Sequence, residues 1–247
     1  MAVLITRPSP DGEQLCDELG AVGIEVVYQP LIAFSSSQGC GHVANLLKEA
    51  NFVIAVSKPA VEWANKSLQS QRQFWPHSTC YLAIGQKTAD KLSEVTAQKV
   101  HCPEVSDSEH LLVLPHLQQI NNAKVVILRG NGGRETIRTV LEQRGANVEY
   151  CEVYQRKPLL FDGHSSVKNW KNNNVTQIVL TSGDQLSYFF NRIPKEEHEW
   201  LFRQRLIVPS KRVSELAKQL GFRNIMVSGS ASNPDLVAVI QQQCTTG

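Results

Sequence analysis

The chain has 247 residues, of which 42% are hydrophobic and 19% charged, and its formal net charge is +2. This balance fits a globular protein with an ample core, and it excludes a polybasic arm for nucleic acid or for a membrane surface. No apolar run approaches the roughly 18 residues of a membrane span, and no signal peptide is expected.

The first half of the chain alternates predicted strands and helices. Apolar residues recur at helical spacing in the first helix, where Leu15, Leu19 and Val22 share one face, and Gly23 ends it. The predicted elements are a strand at 3–6, a helix at 11–22, a strand at 24–32, a flexible polar linker at 34–39, a helix at 43–50, a strand at 52–56, a helix from 60, a strand at 81–84, a helix that contains Thr88, a short strand near 100 and a helix at 110–117.

The second half repeats this order. Its predicted elements are a strand at 125–128, a helix that ends at 144, a strand at 148–154, a loop at 155–166, strands at 177–180 and 206–208, a helix from 211, a strand at 224–227 and a last helix opened by 232–235. Five strands per half that alternate with helices predict an α/β fold, with parallel sheets covered on both faces.

Two stretches of the chain align without a gap at a constant offset of 122. The first βαβ segment (residues 4–28) and the second βαβ segment (residues 126–150) match at Arg7 with Arg129, at Glu13 with Glu135 and at Tyr28 with Tyr150. A repeat of this length predicts an internal duplication and two domains of roughly 120 residues each.

A glycine-rich turn, Arg129-Gly130-Asn131-Gly132-Gly133-Arg134, separates the strand from the helix in the second βαβ segment. Glycines let backbone N–H groups approach an anion, and the start of a helix adds partial positive charge. Two guanidinium groups beside the same turn suit a carboxylate or a phosphate. A dinucleotide site is a weaker alternative, because Glu135 occupies the third glycine position and would bring negative charge near the pyrophosphate.

Small, hydroxyl-bearing or basic residues recur at the carboxyl ends of the predicted strands, where ligands bind in open α/β sheets. They are Arg7, Ser57, Gly85 with Thr88, Arg129, Gly130, Asn131, Tyr154, Ser182, Gly183 and Ser210. Such residues bind oxygen atoms rather than break bonds, and no zinc helix, nucleophile elbow or phosphate loop accompanies them. The repeated placement predicts an anion-binding cleft between two lobes.

Each of these residues also has an ordinary structural interpretation, which the sequence leaves open. The alternatives are helix caps for Ser57 and Ser182, a bond to the helix backbone for Thr88, core packing for Tyr154 and helix surface for Arg134 and Glu135. The six cysteines form no CxxC pair and have no ligand-like spacing to histidine, which predicts reduced thiols in a cytoplasmic protein. The seven histidines are scattered, so we interpret each as a surface residue and predict no metal site.

Over nearly its whole length the sequence resembles the uroporphyrinogen-III synthase family of the tetrapyrrole pathway. The segments that carry the resemblance are VLITRP, LRGNGGRE, GANVEYCEVYQRKP, IVLTSGD, IVPSKRVSELAKQLGF and NPDLVAVI. The resemblance implies two flavodoxin-like lobes joined by two linkers, with a cleft between them. Lobe 1 would combine residues 1–35 with 168–247, and lobe 2 would hold residues 36–167.

The family's reaction closes hydroxymethylbilane to uroporphyrinogen III, with loss of water and inversion of ring D through a spiro intermediate. The resemblance therefore implies a hydro-lyase of porphyrin and heme biosynthesis that needs no cofactor, because positioning supplies the selectivity. It also implies a monomer that meets the preceding pathway enzyme transiently and binds neither nucleic acid nor membrane. A non-catalytic two-lobed binder of small anionic ligands is the alternative, since such folds host many functions.

The resemblance also carries individual roles. Tyr154 falls where the family has a tyrosine proposed to assist departure of the hydroxyl, as a weak general acid. Ser57 and Ser182 fall on strand-end serines of the family, and Thr88 falls on a threonine of a cleft. The implied substrate-binding set is Arg7, Ser57, Lys58, Gly85, Thr88, Arg129, Gly130, Asn131, Arg134, Ser182, Gly183 and Ser210.

The chain departs from the family pattern at three positions. Family members often have Arg or Asn at Pro59, Thr at Val213 and Gly at Ser210. We expect Lys58 to supply the cation that Pro59 cannot.

Overall fold

The computed structural model describes residues 1–133 and 135–242, and within them eleven strands alternate with helices. The strands are β1 (Ala2–Ile5), β2 (Glu25–Tyr28), β3 (Ile32–Ser36), β4 (Phe52–Ala55), β5 (Cys80–Ala83), β6 (Val100–His101), β7 (Lys124–Gly130), β8 (Asn147–Pro158), β9 (Val175–Val179), β10 (Arg205–Val208) and β11 (Ile225–Val227). The helices are α1 (Asp11–Ala21), α2 (Val43–Lys48), α3 (Lys58–Ser70), α4 (Gln86–Thr96), α5 (Ser108–Leu112), α6 (Thr136–Gln143), α7 (Gly163–Asn172), α8 (Gly183–Arg192), α9 (His198–Arg203), α10 (Lys211–Gln219) and α11 (Asn233–Gln241), with 3-10 turns at Gln38–His42, Pro115–Leu117 and Lys195–Glu197. None of the helices in this part of the chain has the length and apolar character needed to cross a bilayer.

The chain forms two compact units. Unit 1 consists of Met1–Phe34 and Lys157–Gly247, and unit 2 consists of Ser35–Arg156. The sequence-based boundary at 167/168 therefore lies eleven residues later than the division in the structure. Hydrogen bonds explain the shift, because Leu159 N donates to Leu31 O at 2.8 Å and fixes the segment after residue 156 to unit 1.

Unit 1 contains a five-stranded parallel sheet in the order β11-β10-β9-β1-β2. Counted from the first strand of its βαβ segment, this is the doubly wound order 2-1-3-4-5. Helices cover both faces, so every residue of β1 is buried. Val3 and Ile5 pack with apolar residues of α1 and α11, whereas Leu4 packs on the opposite face.

Part of unit 1 was predicted as loop and is helical. Residues 155–166 contain Pro158 and Gly163, which suggested an irregular segment, but α7 begins at Gly163. Asp162 caps it by accepting the backbone N–H of Ser165 at 2.8 Å. The helix buries Val167 and Trp170 in an apolar cluster of unit 1. This packing stabilises the helix more than the weak helix propensity of its residues destabilises it.

The second sheet has the order β3-β8-β7-β4-β5-β6. Its strands β4 to β7 lie in unit 2, whereas β3 begins and β8 ends in residues of unit 1. From β8 to β6 the strands are parallel and again follow the order 2-1-3-4-5, counted from β7. The sixth strand, β3, shows that two predictions are wrong. Residues 34–36 of the predicted flexible linker belong to this strand. The single strand predicted at 24–32 is two strands, separated at Pro30, which has no N–H to donate. The backbone N–H of Ser37 donates to the carbonyl of Val153 in β8. This polar segment therefore has backbone hydrogen bonds to a neighbouring strand.

The two βαβ segments have the same strand register. Ile5 pairs with Tyr28 in unit 1, and Ile127 pairs with Tyr150 in unit 2, which is the offset of 122 seen in the sequence. The turn that follows the first strand of each segment therefore lies at the same place in its sheet. One further prediction is wrong in detail, because the helix at 110–117 is two pieces, α5 and the turn Pro115–Leu117, separated where Pro115 forces Leu114 out of the helical conformation.

Candidate functional site

A cavity of about 240 Å³ opens at the carboxyl edge of the unit 2 sheet. Ligands bind at this edge in open α/β sheets. Its walls combine apolar side chains with a few polar groups and with glycine backbone. The lining residues are Val56, Ser57, Ile84, Ser108, Ile127, Arg129, Gly130, Gly132, Gly133, Ile137, Tyr150, Tyr154 and Arg156.

The glycines of the turn after β7 are required by its geometry. A Cβ on Gly130 would overlap the ring of Tyr154, so only glycine lets the two strands approach here. Gly132 and Gly133 have φ values of +75° and +127°, a region that other residues rarely adopt. The turn therefore presents backbone to the cavity, as the sequence predicted.

Tyr154 is the most enclosed polar side chain of the cavity. Its side chain is 1% exposed, and its hydroxyl lies 3.3 Å from Ser57 Oγ and 3.2 Å from a guanidinium nitrogen of Arg156. Tyr154 and Arg156 share one face of β8 because alternate residues of a strand point the same way. The phenol oxygen thus has a hydroxyl and a cation beside it, on a side chain that is almost fully buried.

Ser57 caps a helix and also lines the cavity. It caps α3, since its Oγ accepts the backbone N–H of Ala60 at 3.3 Å. A serine oxygen that accepts one bond keeps its own proton to donate. The same side chain can therefore cap the helix and donate to Tyr154.

Arg129 lines the cavity and is held by a network of contacts within unit 2. It is 5% exposed and donates to Glu135 Oε1 at 3.1 Å, and its guanidinium lies 4.2 Å from the centre of the Tyr150 ring. Tyr150 donates to the other oxygen of Glu135 at 2.7 Å. The bonds from Tyr150 and Arg129 lower the pKa of Glu135, whereas burial, together with Glu135, raises the pKa of Tyr150 to about 12.

Four other predicted residues of unit 2 do not line this cavity. Lys58 is half exposed and forms an ion pair with Glu62 at 3.6 Å, and Thr88 is buried in α4. Gly85 begins α4 where a Cβ would meet Ser106.

The fourth, Asn131, accepts the backbone N–H of Arg156 at 2.7 Å. It therefore fixes the end of β8 that carries Arg156. The predicted residue Arg134 lies outside the described residues.

The predicted residues of unit 1 lie at the carboxyl ends of three adjacent strands. Ser182 caps α8 by accepting Gln185 N at 3.2 Å, and Ser210 caps α10 by accepting Val213 N at 3.4 Å. Gly183 is the first residue of α8.

Arg7 follows β1 and is largely buried. It donates to Asn233 and, at 2.9 Å, to Asp11, and burial lowers its pKa. Like Arg129, it has partners within its own unit.

Sequence reasoning missed several residues that line the cavity. Arg156 follows Tyr154 by two positions, so strand periodicity could have found it had β8 been extended past 154. The sequence indicates Tyr150 only as the partner of Tyr28 in the repeat. Ser108 comes from α5, and no local pattern connects it with β8.

Comparisons with known proteins agree over nearly the full length. A family model described as Uroporphyrinogen-III synthase HemD matches residues 13–238. The chain is 41% identical to the uroporphyrinogen-III synthase of Escherichia coli (strain K12) and 40% identical to that of Salmonella typhimurium (strain LT2), in each case over 98% of this chain and 100% of the relative. Among solved structures it is similar to a mutant uroporphyrinogen III synthase from the extremely thermophilic bacterium Thermus thermophilus, with a TM-score of 0.68 at 15% identity over 99% of this chain and 100% of that one. At that identity, the structural likeness supports the α/β fold alone.

Proposed function

The chain belongs to the uroporphyrinogen-III synthase family, and we infer that it closes hydroxymethylbilane to uroporphyrinogen III with loss of water and inversion of ring D. It is a lyase of porphyrin biosynthesis. The substrate can lose its hydroxyl and cyclise unaided, but that route leaves ring D unflipped. The enzyme must therefore hold the chain so that ring D attacks through its already substituted carbon and forms a spiro intermediate. Binding energy that fixes this geometry supplies the selectivity.

We propose that Tyr154 is the general acid. As the bond between the hydroxymethyl carbon and its oxygen breaks, the electron pair leaves with the oxygen, and the phenol proton completes a water molecule. The phenolate that remains has the Arg156 guanidinium at 3.2 Å and the Ser57 hydroxyl at 3.3 Å. Such preorganised donors favour developing negative charge in an enclosed site. The phenolate then takes back the proton that the closing macrocycle releases.

The observation that carries this assignment is the position of the Tyr154 hydroxyl between a cation and a second hydroxyl, on the wall of a cavity at the carboxyl edge of the sheet. Arg129 is a positioning residue in this proposal, because its hydrogen bond to Glu135 holds the glycine turn. The exposed backbone of Gly132 and Gly133 and the strand-end groups Ser182, Gly183 and Ser210 are proposed to bind substrate carboxylates, together with Lys58 and Thr88.

The test uses chemically generated hydroxymethylbilane and chromatographic separation of the type I and type III isomers. The wild-type chain should divert product to type III with no added cofactor. Tyr154→Phe should lower turnover by about 10²-fold or more, the usual contribution of a general acid, with little change in substrate binding. Tyr188→Phe, which loses only a bond to the carbonyl of Leu159 in unit 1, is the matched control.

Three outcomes would contradict the proposal in different ways. Isomer ratios that stay at the spontaneous value would reject the synthase activity. Saturable substrate binding without type III product would favour the non-catalytic anion binder. Full turnover by Tyr154→Phe would remove Tyr154 from the mechanism and leave the activity assigned.

We also propose that the two units are flavodoxin-like lobes that arose by duplication. The equal strand orders and the shared register of Ile5 with Tyr28 and of Ile127 with Tyr150 support this. A monomer in the cytoplasm is proposed as well. It agrees with the five described cysteines being free thiols, and light scattering of the purified protein would test its mass.

A further inference from the structure

A second group of reactive side chains lies in unit 2, apart from the cavity. Cys80 Sγ and one ring nitrogen each of His101 and His116 all lie within 4.8 Å of one another. The residues come from three elements: the first residue of β5, the last residue of β6 and the turn Pro115–Leu117. Because they follow one another at irregular separations along the chain, no spacing motif reveals the group in the sequence.

The backbone positions these side chains together. Residue Leu82 pairs with His101 across β5 and β6, and Cys80 lies two residues before Leu82 on the same face of the sheet. That face packs against an apolar cluster that includes Leu117, the residue after His116. The two imidazole rings have centroids 3.8 Å apart, with planes inclined by 34°.

The chemistry of the group matches a transition-metal site. A thiolate and two imidazoles are a common ligand set for zinc(II), which binds sulfur at about 2.3 Å and nitrogen at about 2.0 Å. Tetrahedral geometry at these bond lengths separates the ligand atoms by about 3.3–3.6 Å, so each pair needs to close by roughly 1.5 Å at most. His116 is exposed and can rotate to make this adjustment.

We propose that Cys80, His101 and His116 form a zinc(II) site, with the fourth position left to water or to an exogenous ligand. Two strands separate β5 from β8 and three separate β6 from β8, so the site is about 14–19 Å from Tyr154 by strand spacing. The metal would join the two-residue edge strand β6 to the turn that carries His116. It therefore stabilises this edge of unit 2 and does not enter the chemistry at Tyr154.

Zinc binding depends on the protonation of its ligands, because a metal binds a thiolate and a neutral imidazole. Burial, with His116 and Lys99 adding to it, lowers the pKa of His101. Burial raises the pKa of the Cys80 thiol, so the metal must displace its proton. Binding therefore releases a proton and strengthens as pH rises.

Cobalt(II) titration of untagged, metal-free protein is the first test, because a bound thiolate gives cobalt a ligand-to-metal absorption band. We expect one equivalent bound, with the band displaced by zinc and removed by a chelator. Cys80→Ser should abolish the band, and His116→Ala should weaken cobalt binding by at least 10-fold. The controls Cys102→Ser and His77→Ala, a neighbouring thiol and a histidine outside the group, should bind as the wild type does.

Thermal unfolding with and without zinc keeps the test informative if Cys80→Ser folds poorly. Zinc should raise the Tm of the wild type and of both controls more than that of His116→Ala, whose exposed side chain can be removed without opening the core. A band that survives in Cys80→Ser would overturn the proposal, as would equal loss of binding in the controls. No binding at all would mean that the group is two packed imidazoles beside a thiol, and would also overturn it.

Discussion

The two βαβ segments carry the same three polar residues in the same register but connect them differently. In the second segment Arg129, Glu135 and Tyr150 form one network. In the first segment the aligned residues do not contact one another in this way. Arg7 instead donates to Asp11 and Asn233, and Glu13 accepts a hydrogen bond from Ser9. The buried hydroxyl of Tyr28 has no hydrogen-bond partner among the described residues.

The composition of the two turns accounts for the difference. The first turn is Arg-Pro-Ser-Pro-Asp, and it supplies Asp11 as a local carboxylate for Arg7. The second is Arg-Gly-Asn-Gly-Gly, whose glycines carry no carboxylate and leave backbone facing a cavity. The two segments thus share their strand register and differ in the residues of the turn that follows the first strand.

The largest expected effect comes from adding a side chain to the glycine turn of the second segment. Position 130 aligns with Pro8 of the first segment, which already carries a side chain. Gly130→Ala would place a Cβ against the ring of Tyr154 and force it to move. We expect turnover to fall by about 10²-fold, since a displacement of 1 Å at a reacting group can cost that much.

Stability measurements accompany that variant. Overpacking at Gly130 should lower the free energy of unfolding by about 1–3 kcal/mol in a denaturant titration. Gly20→Ala is the matched control, because its Cβ meets nothing within 4 Å and alanine favours the interior of α1. Wild-type turnover by Gly130→Ala would show that the close approach of β7 and β8 is not needed for the reaction.

The two arginines should separate stability from activity. Arg7→Met leaves the buried Asn233 oxygen without its donor, which should lower the free energy of unfolding by about 1–3 kcal/mol. Arg129→Met should act mainly on turnover, because it frees the turn that lines the cavity. Denaturant titration and isomer assays of both variants provide the measurement, and identical profiles would mean that the two turns are equivalent.

The aligned tyrosines should respond in opposite directions. Tyr28→Phe removes a buried hydroxyl that has no described partner, so stability should stay unchanged or rise by up to about 1 kcal/mol. Tyr150→Phe removes the donor to Glu135 and should lower stability. Thermal unfolding of the pair at neutral pH checks this, and a loss of stability in Tyr28→Phe would indicate an ordered water at that hydroxyl.

The smallest expected effect is on the stability of the protein at acidic pH. Glu135 has a pKa lowered from its ordinary value of 4.5 in the folded protein, first by the bond from Tyr150 and then by Arg129. Its contribution to stability is therefore present above pH 4.5 and is lost as pH falls through the lower folded value. Glu135→Gln should flatten the decline in stability below pH 4.5, as followed by denaturant titration. A decline as steep as in the wild type would show that other carboxylates control it.

The sequence predicted some residues of the cavity wall, and it did so where the signals are local. Glycines at 130, 132 and 133 marked a turn after an apolar run, and Ser57 followed another such run directly. Arg156 was missed for a physical reason. Its strand continues to Pro158 because β3 pairs beside it, and the sequence that contributes β3 lies more than 110 residues earlier.

The choice of partners by the arginines was also beyond the sequence. The alignment gave Arg7 and Arg129 the same neighbours, but Asn233, which accepts a bond from Arg7, is 226 residues distant in the chain. The group of Cys80, His101 and His116 escaped notice in the same way, since each residue alone resembles ordinary packing or surface. Contacts between residues far apart in the chain, rather than local secondary structure, are what the sequence does not predict.

The insertion of unit 2 into unit 1 also affects how the protein is made. On the ribosome, the nascent chain emerges with β1 and β2 first, but the other neighbour of β1 is β9, which begins only at Val175. A lone pair of strands is marginal in water, whereas residues 35–156 emerge as a complete unit in the meantime. We therefore expect translation to finish the inner unit before the outer one, so that the first residues synthesised are among the last to fold.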